Sequence, residues 1–228
     1  MKTPKNKKPF VLKAVIFDKD GVLMLTETIY HKAYQDILAQ FGIKKEYTWD
    51  MHRKRNGMPT AETFFYLKKE FGFKISLGDF LPVYRNRYTE LMQDGLVVPD
   101  GVHELLDSLK MANIPVAIAT GGSRESTDMT LEKTGLAEYF DIVITSSDVA
   151  NGKPDPEIFL LAAKRLGIKA HNCLVIGDSV NDILGGKAAG MKVIGLIDRS
   201  YSRDTALAVP DIEVVSMKEI TIEMMKEL

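Results

Sequence analysis

Cysteine is nearly absent: Cys173 is the single one in 228 residues. That excludes an intrachain disulfide framework and any multi-thiolate zinc site, and it points to a reducing compartment. Long apolar runs are missing too. The stretch 11–17 is broken by Lys13 and closed by Asp18. The basic start, with Lys2, Lys5, Lys7 and Lys8, therefore leads into neither the apolar segment nor the small-residue cleavage site of a signal peptide. No uninterrupted apolar segment approaches the roughly 20 residues that would span a bilayer. An excess of one charge is also lacking. The 31 acidic and 30 basic side chains leave a net charge of −1, which argues against a dedicated nucleic-acid binder. There is no internal repeat and no low-complexity tract. What remains is 45% hydrophobic and 27% charged, an ordinary globular composition with material for one large domain or a core carrying a smaller one. The absences together predict a cytoplasmic protein without membrane or nucleic-acid partners.

Three short runs rich in β-branched residues, 14–18, 116–120 and 174–178, each end in a small or acidic residue at a turn, as buried parallel strands do. The runs 142–145 and 192–196 read the same way. Helical patterns lie between them: 102–111, 124–134 closed by Gly135, 157–166 closed by Gly167, and 181–189 closed by Gly190. This alternation predicts a doubly wound, Rossmann-like α/β domain with a parallel sheet, whose ligands sit beyond the carboxyl ends of the strands. The segment 25–97 breaks the rhythm, since it contains no convincing strand. One apolar stripe runs through Ile29, Ala33, Ile37, Leu38 and Phe41, a second through Phe64, Phe65, Leu67 and Phe71, a third through Phe80, Tyr84, Tyr88, Leu91 and Met92. An insertion of this length is too long for a loop. It predicts a small all-helical domain, 25–97, over the end of a sheet built from 1–24 and 98–228.

The strongest chemical signal is the run 15–23, where an apolar strand delivers Asp18 and a second carboxylate, Asp20, follows before Gly21. In extended chain the two point the same way about 6.6 Å apart. Such a pair can divide the work of nucleophile and acid/base, although an Asp-Gly step also suits a plain turn. A second signal, 177–182, ends another apolar strand with Asp178 and then Asp182. Asp182 alone reads equally as a first-turn helix carboxylate. If all four acids converge, the local charge is about −4, and like charges at about 4 Å repel by about 1 kcal/mol per pair even in water. Such a cluster calls for a hard divalent cation with oxygen ligands, Mg²⁺ above all. Thr120, Gly121, Gly122 and Ser123 end a strand and open a helix, where amides and a hydroxyl can hold phosphate oxygens. Lys153 lies on a loop stiffened by Pro154 and Pro156. Neither glycine-lysine pair, at 152–153 or 186–187, is followed by the Ser or Thr of a Walker A loop, and 18–21 lacks the spacing of an EF-hand.

With these four motifs in order across nearly the whole chain, the sequence resembles the haloacid dehalogenase superfamily of phosphohydrolases. The resemblance is to the helical-cap group that includes β-phosphoglucomutase and phosphoglycolate-phosphatase-like enzymes. It implies that Asp18 is the nucleophile that becomes an aspartyl phosphate, and that Asp20 protonates the leaving alcohol and then activates water. Thr120 and nearby amides would bind the transferring phosphoryl, and Lys153 would offset its charge. Mg²⁺ would be held by Asp18, Asp178 and the backbone carbonyl of Asp20, with Asp182 supporting it. An acid at position 20 sets the chain apart from the family's dehalogenases, which lack it, and from its transport ATPases, which carry Thr. Related sequences often place Asp where this chain has Leu25, while Thr26, Glu27 and His31 keep the pattern; the change is expected to affect the hinge into the cap.

Substrate choice is expected to lie in the cap, on the basic stretch 53–59 with Arg55, Asn56 and Gly57, and on His31 near the hinge. An ordinary solvated charge run would explain 53–59 equally, and His31 would equally suit packing. Trp49 and Tyr47 read as packing residues, Cys173 as a small core residue, and His52, His103 and His171 have no metal-site spacing. The expected activity is Mg²⁺-dependent hydrolysis of small phosphorylated metabolites, sugar phosphates or phosphoglycolate-like esters, by a monomer or weak homodimer. A phosphomutase of the β-phosphoglucomutase type is the alternative. A phosphoacceptor signalling module fits less well, since receivers spread their acids over two early strands and lack a long helical insertion.

Overall fold

The computed structural model describes residues 9–55, 60–197 and 208–228. Six strands, β1 (Ala14–Phe17), β2 (Val116–Ala119), β3 (Val143–Ile144), β4 (Cys173–Gly177), β5 (Lys192–Leu196) and β6 (Ile212–Val214), form one parallel sheet in the order β3-β2-β1-β4-β5-β6. β1 is central, and its register pairs Phe17 with Ile118 on one side and Ile176 on the other. Strand alternation sorts the core into two layers. Val15, Phe17, Ile118, Leu174 and Ile176 pack with helix α5 (Val102–Met111), while Ala14, Ile16, Ala117, Cys173 and Val175 pack with helix α7 (Glu157–Leu166). Each fully buried Val, Leu, Ile or Phe contributes about 1.5–3 kcal/mol. Helices therefore cover both faces, which is the doubly wound architecture.

Between β1 and α5 the chain makes α1 (Glu27–Gln40), α2 (Trp49–Arg55), α3 (Thr60–Phe71) and α4 (Leu77–Asp94). These helices share a third apolar cluster of their own, dominated by rings: Tyr34, Tyr47, Phe64, Phe73, Phe80, Tyr84 and Tyr88. The chain leaves and re-enters the sheet domain side by side, where the Leu25 amide donates to the Val97 carbonyl at 2.9 Å. Residues 53–55, read from sequence as part of a basic loop, form the end of α2; seven residues are too few to show a periodic stripe. Helix α6 (Arg124–Thr134) follows β2, and α8 (Val180–Ala188) follows β4. A short α9 (Ile222–Lys226) closes the chain. No described helix is long and apolar enough to cross a membrane.

Candidate active site

The geometry of the site follows from where strands stop. Asp18 follows β1, Thr120 follows β2 and Asp178 follows β4, so three neighbouring strands deliver polar side chains to one edge. Helix α8 adds Asp182 from its first turn. Gly185 and Gly186 let that helix lie tight, for a Cβ on either would sit 2.9 Å from a carbon of Phe159 or Val193.

One carboxylate oxygen from each of Asp18, Asp178 and Asp182 lies within 4.8 Å of the others. Lys153 ties two of them together. Its Nζ is 2.6 Å from Asp18 Oδ1 and 2.6 Å from Asp182 Oδ1, donates to the Ala119 carbonyl at 2.7 Å, and stands 5.1 Å over the Phe159 ring. Asp182 serves the helix as well: its Oδ2 accepts from the Ser179 amide and hydroxyl, while the Ser179 hydroxyl accepts from the Asp182 amide. This capping box begins α8 at Val180, one residue earlier than the pattern implied. Asp182 thus caps the helix and stands among the clustered acids at once.

Burial and mutual repulsion dominate the electrostatics. Burial pushes the Asp18 carboxyl up to about 7, reinforced by Asp182 and opposed by Lys153. The Asp178 carboxyl is also raised, by burial, then by Asp182, Asp18 and Glu27. Burial lowers the Lys153 ammonium, but its two carboxylate partners outweigh this and leave it raised. Fully ionised, three carboxylates against one ammonium leave two negative charges uncompensated. An all-oxygen donor set of this kind fits a hard divalent cation.

Asp20 stands beside the cluster. Its Oδ1 accepts from Lys19 Nζ at 3.0 Å and from Thr26 Oγ1 at 2.8 Å. Gly21 has φ +84°, a backbone state only glycine adopts cheaply, and a Cβ there would lie 2.3 Å from Asp178 Oδ2. Thr120 is buried and accepts the Gly122 amide at 3.0 Å, which keeps its hydroxyl proton as a donor. Gly121 and Gly122 form the turn into α6.

The structure thus gathers Asp18, Lys153, Asp178 and Asp182 into one cluster, with Asp20, Thr120, Gly121 and Gly122 on the adjoining turns. His31 is buried in the helical insertion, its ring stacked on Trp49 with centroids 3.9 Å apart and planes nearly parallel. Asn56 and Gly57 lie outside the described residues, as does the side chain of Arg55. Sequence reasoning missed two features. Lys19, between the two acids, is wholly buried. Glu27, whose charge acts on Asp178, is bonded at 2.6 Å to Nε2 of buried His52, and His52 Nδ1 is 3.1 Å from the Tyr47 hydroxyl.

The family model of the haloacid dehalogenase-like hydrolases matches residues 15–196. The chain is 33% identical to the phosphorylated carbohydrates phosphatase of Thermotoga maritima, covering 95% of this chain and 100% of that one. It is 32% identical to the pyrophosphatase PpaX of Bacillus velezensis, with coverage of 80% and 82%. Among solved structures, a HAD family hydrolase of Deinococcus radiodurans R1 with bound phosphate and sodium superposes with a TM-score of 0.79 at 30% identity, covering 93% of this chain and 95% of that one.

Proposed function

Because the chain belongs to the haloacid dehalogenase-like hydrolases, a family of enzymes, we propose that it is a Mg²⁺-dependent phosphatase of small phosphorylated metabolites, sugar phosphates or phosphoglycolate-like esters. The observation that carries this reading is the Lys153 bridge between Asp18 and Asp182, with Asp20 fixed two residues beyond Asp18. Asp18 attacks phosphorus as the bond to the leaving alcohol breaks, and Asp20 gives its proton to the departing oxygen. Asp20, now a carboxylate, takes a proton from the water that attacks the aspartyl phosphate, which releases inorganic phosphate and restores both acids. Thr120, with the Gly121–Gly122 turn, holds phosphoryl oxygens, and Lys153 offsets their charge. Asp18, Asp178 and the Asp20 carbonyl, with Asp182 alongside, would hold magnesium, which would supply the positive charge that lets a carboxylate approach a phosphate dianion.

The helical insertion, 25–97, acts as a cap that selects the alcohol through His31 and the stretch around Arg55, Asn56 and Gly57. The enzyme works in the cytoplasm as a monomer or weak homodimer. Hydrolysis of p-nitrophenyl phosphate tests the chemistry: wild type turns over, EDTA silences it, Mg²⁺ restores it, and Asp18→Asn is inactive. Substantial activity in Asp18→Asn rejects the nucleophile. A screen of phosphorylated metabolites then names the substrate, and isomer formation from β-glucose 1-phosphate in place of phosphate release would replace the phosphatase by a mutase.

A further inference from the structure

Lysine is rarely buried outright unless it is paired. The Lys19 side chain is 1% exposed, and its ammonium donates to Oδ1 of Asp20 at 3.0 Å. Thr26, itself wholly buried, donates to the same oxygen at 2.8 Å. Thr26 is the residue that opens helix α1, a position where a threonine hydroxyl ordinarily caps the helix. Here it makes no capping bond; its hydroxyl proton goes to Asp20. The turn beneath is closed around Lys19 as well, whose carbonyl accepts from the Leu23 amide at 2.9 Å and the Met24 amide at 3.1 Å. Two donors, one on each side of this turn, are thus committed to one oxygen of one carboxylate.

We propose that Lys19 is a positioning residue that, with Thr26, locks the orientation of Asp20 and assigns its proton to Oδ2. The inference rests on the phosphatase reading and adds to it a residue that never touches the substrate. With two hydrogens directed at it, Oδ1 has no place for a third, so a protonated Asp20 carries its proton on Oδ2. When the ester bond breaks, the Oδ2–H bond breaks and the departing alkoxide gains the proton. The carboxylate left behind already faces the Lys19 ammonium, and no side chain has to reorient before it takes the next proton from water. Without Lys19 the carboxyl group can rotate about its own axis, and the acid is misplaced in a share of encounters.

The leaving group separates this role from a merely structural one. An alkoxide needs the proton, whereas p-nitrophenolate departs without it, and kcat/KM reports only the steps through departure of the first product. Lys19→Met should lower kcat/KM for glycerol 1-phosphate by about 100-fold or more, the scale of general-acid catalysis, and that for p-nitrophenyl phosphate by less than about 5-fold. Thr26→Val, which keeps the volume and removes the donor, should shift the same ratio in the same direction, and Thr26→Ser should restore it. Equal losses on both substrates in Lys19→Met overturn the proposal. So does an unchanged ratio in Thr26→Val, which decides the matter if Lys19→Met does not fold. Wild-type protein that hydrolyses neither ester removes the phosphatase reading and this inference with it, whereas an active wild type with unshifted variants removes the inference alone.

Discussion

Replacing Lys153 by Met removes a charge and little else. The unbranched side chain still fills the space over Phe159, but Asp18 and Asp182 each lose an ammonium at 2.6 Å and Ala119 loses a donor at 2.7 Å. The carboxylates then face one another within 4.8 Å. At an effective dielectric constant of about 20, one such like-charge pair costs about 3.5 kcal/mol. Loss of one partner from a buried ion pair typically costs about 3–5 kcal/mol, and the carboxyls limit the damage by taking up protons. Against a total stability of about 5–15 kcal/mol this is large. With a urea dependence of about 2–3 kcal/mol per molar, the midpoint measured in EDTA near neutral pH should fall by about 1.5 M. Excess Mg²⁺ should recover most of that stability, because a cation among the acids replaces the missing charge, but it should not recover activity. Phosphatase activity should stay about a thousandfold down, since the ammonium proposed to offset the transferring phosphoryl is gone and a cation among the acids does not take its place. A midpoint in EDTA that moves by less than about 0.3 M, or activity within about tenfold of wild type, would refute the electrostatic account.

The metal-free protein should lose stability as pH rises. Asp18 is pushed up to about 7 from 3.8, chiefly by burial, and a carboxyl raised by folding contributes stability that is present below its ordinary value and lost as pH climbs through about 7. Denaturation in EDTA should therefore show a lower midpoint at about pH 8.5 than at about pH 5.5, with Mg²⁺ closing the gap; a pH-independent midpoint rejects the assignment. Gly177→Ala should be damaging despite its size, because the new Cβ would lie 2.4 Å from Asp182 Cβ and 2.8 Å from its Cγ. Overpacking of this kind costs about 1–3 kcal/mol, and the displaced Asp182 should take activity with it; a variant as active and as stable as wild type contradicts the geometry. Asp211 is raised by burial but held lower overall by Lys187, the Val193 amide and Lys192, which fastens β5 to the approach to β6. Asp211→Asn should be less stable than wild type at neutral pH. The difference should vanish as acid protonates the wild-type carboxyl below its lowered value; a gap that persists in acid would point to packing as the cause.

The central strands were legible because alternation and burial coincide there: 14–18, 116–120 and 174–178 each place a strand and the polar residue that follows it. Strand β6 was not legible, since Ile212, Glu213 and Val214 are only three residues and the middle one is exposed. Helix α2 escaped for a similar reason, its charged end resembling a solvated loop. The acids could be named in advance because each stands at a strand end or a helix start. Lys19 could not. A lysine between two aspartates reads as a surface charge until the fold closes over it, and the partner that explains its burial, Asp20, is shared with Thr26 through a contact that only the turn at 21–24 creates.

That turn also shows why so much repulsion can be concentrated at one sheet edge. The carboxylates come close because two nearby residues lack side chains: a Cβ at Gly21 would clash with Asp178 Oδ2 at 2.3 Å, and a Cβ at Gly177 would strike Asp182. Their spacing is therefore set by backbone, which cannot relax away from the strain as a flexible side chain would. Asp182 is held further by Ser179, and Asp20 by Lys19 and Thr26. Since rigid neighbours hold the acids where like charges oppose them, the remaining outlets are protonation, the Lys153 ammonium and a bound cation. Withdrawal of the cation at neutral pH should accordingly leave the backbone of β1, β4 and α8 in place and move protons instead. Proton uptake on chelation, measured by titration calorimetry in buffers of different ionisation enthalpy, would carry that signature, and a collapse of the strand edge without proton uptake would contradict it.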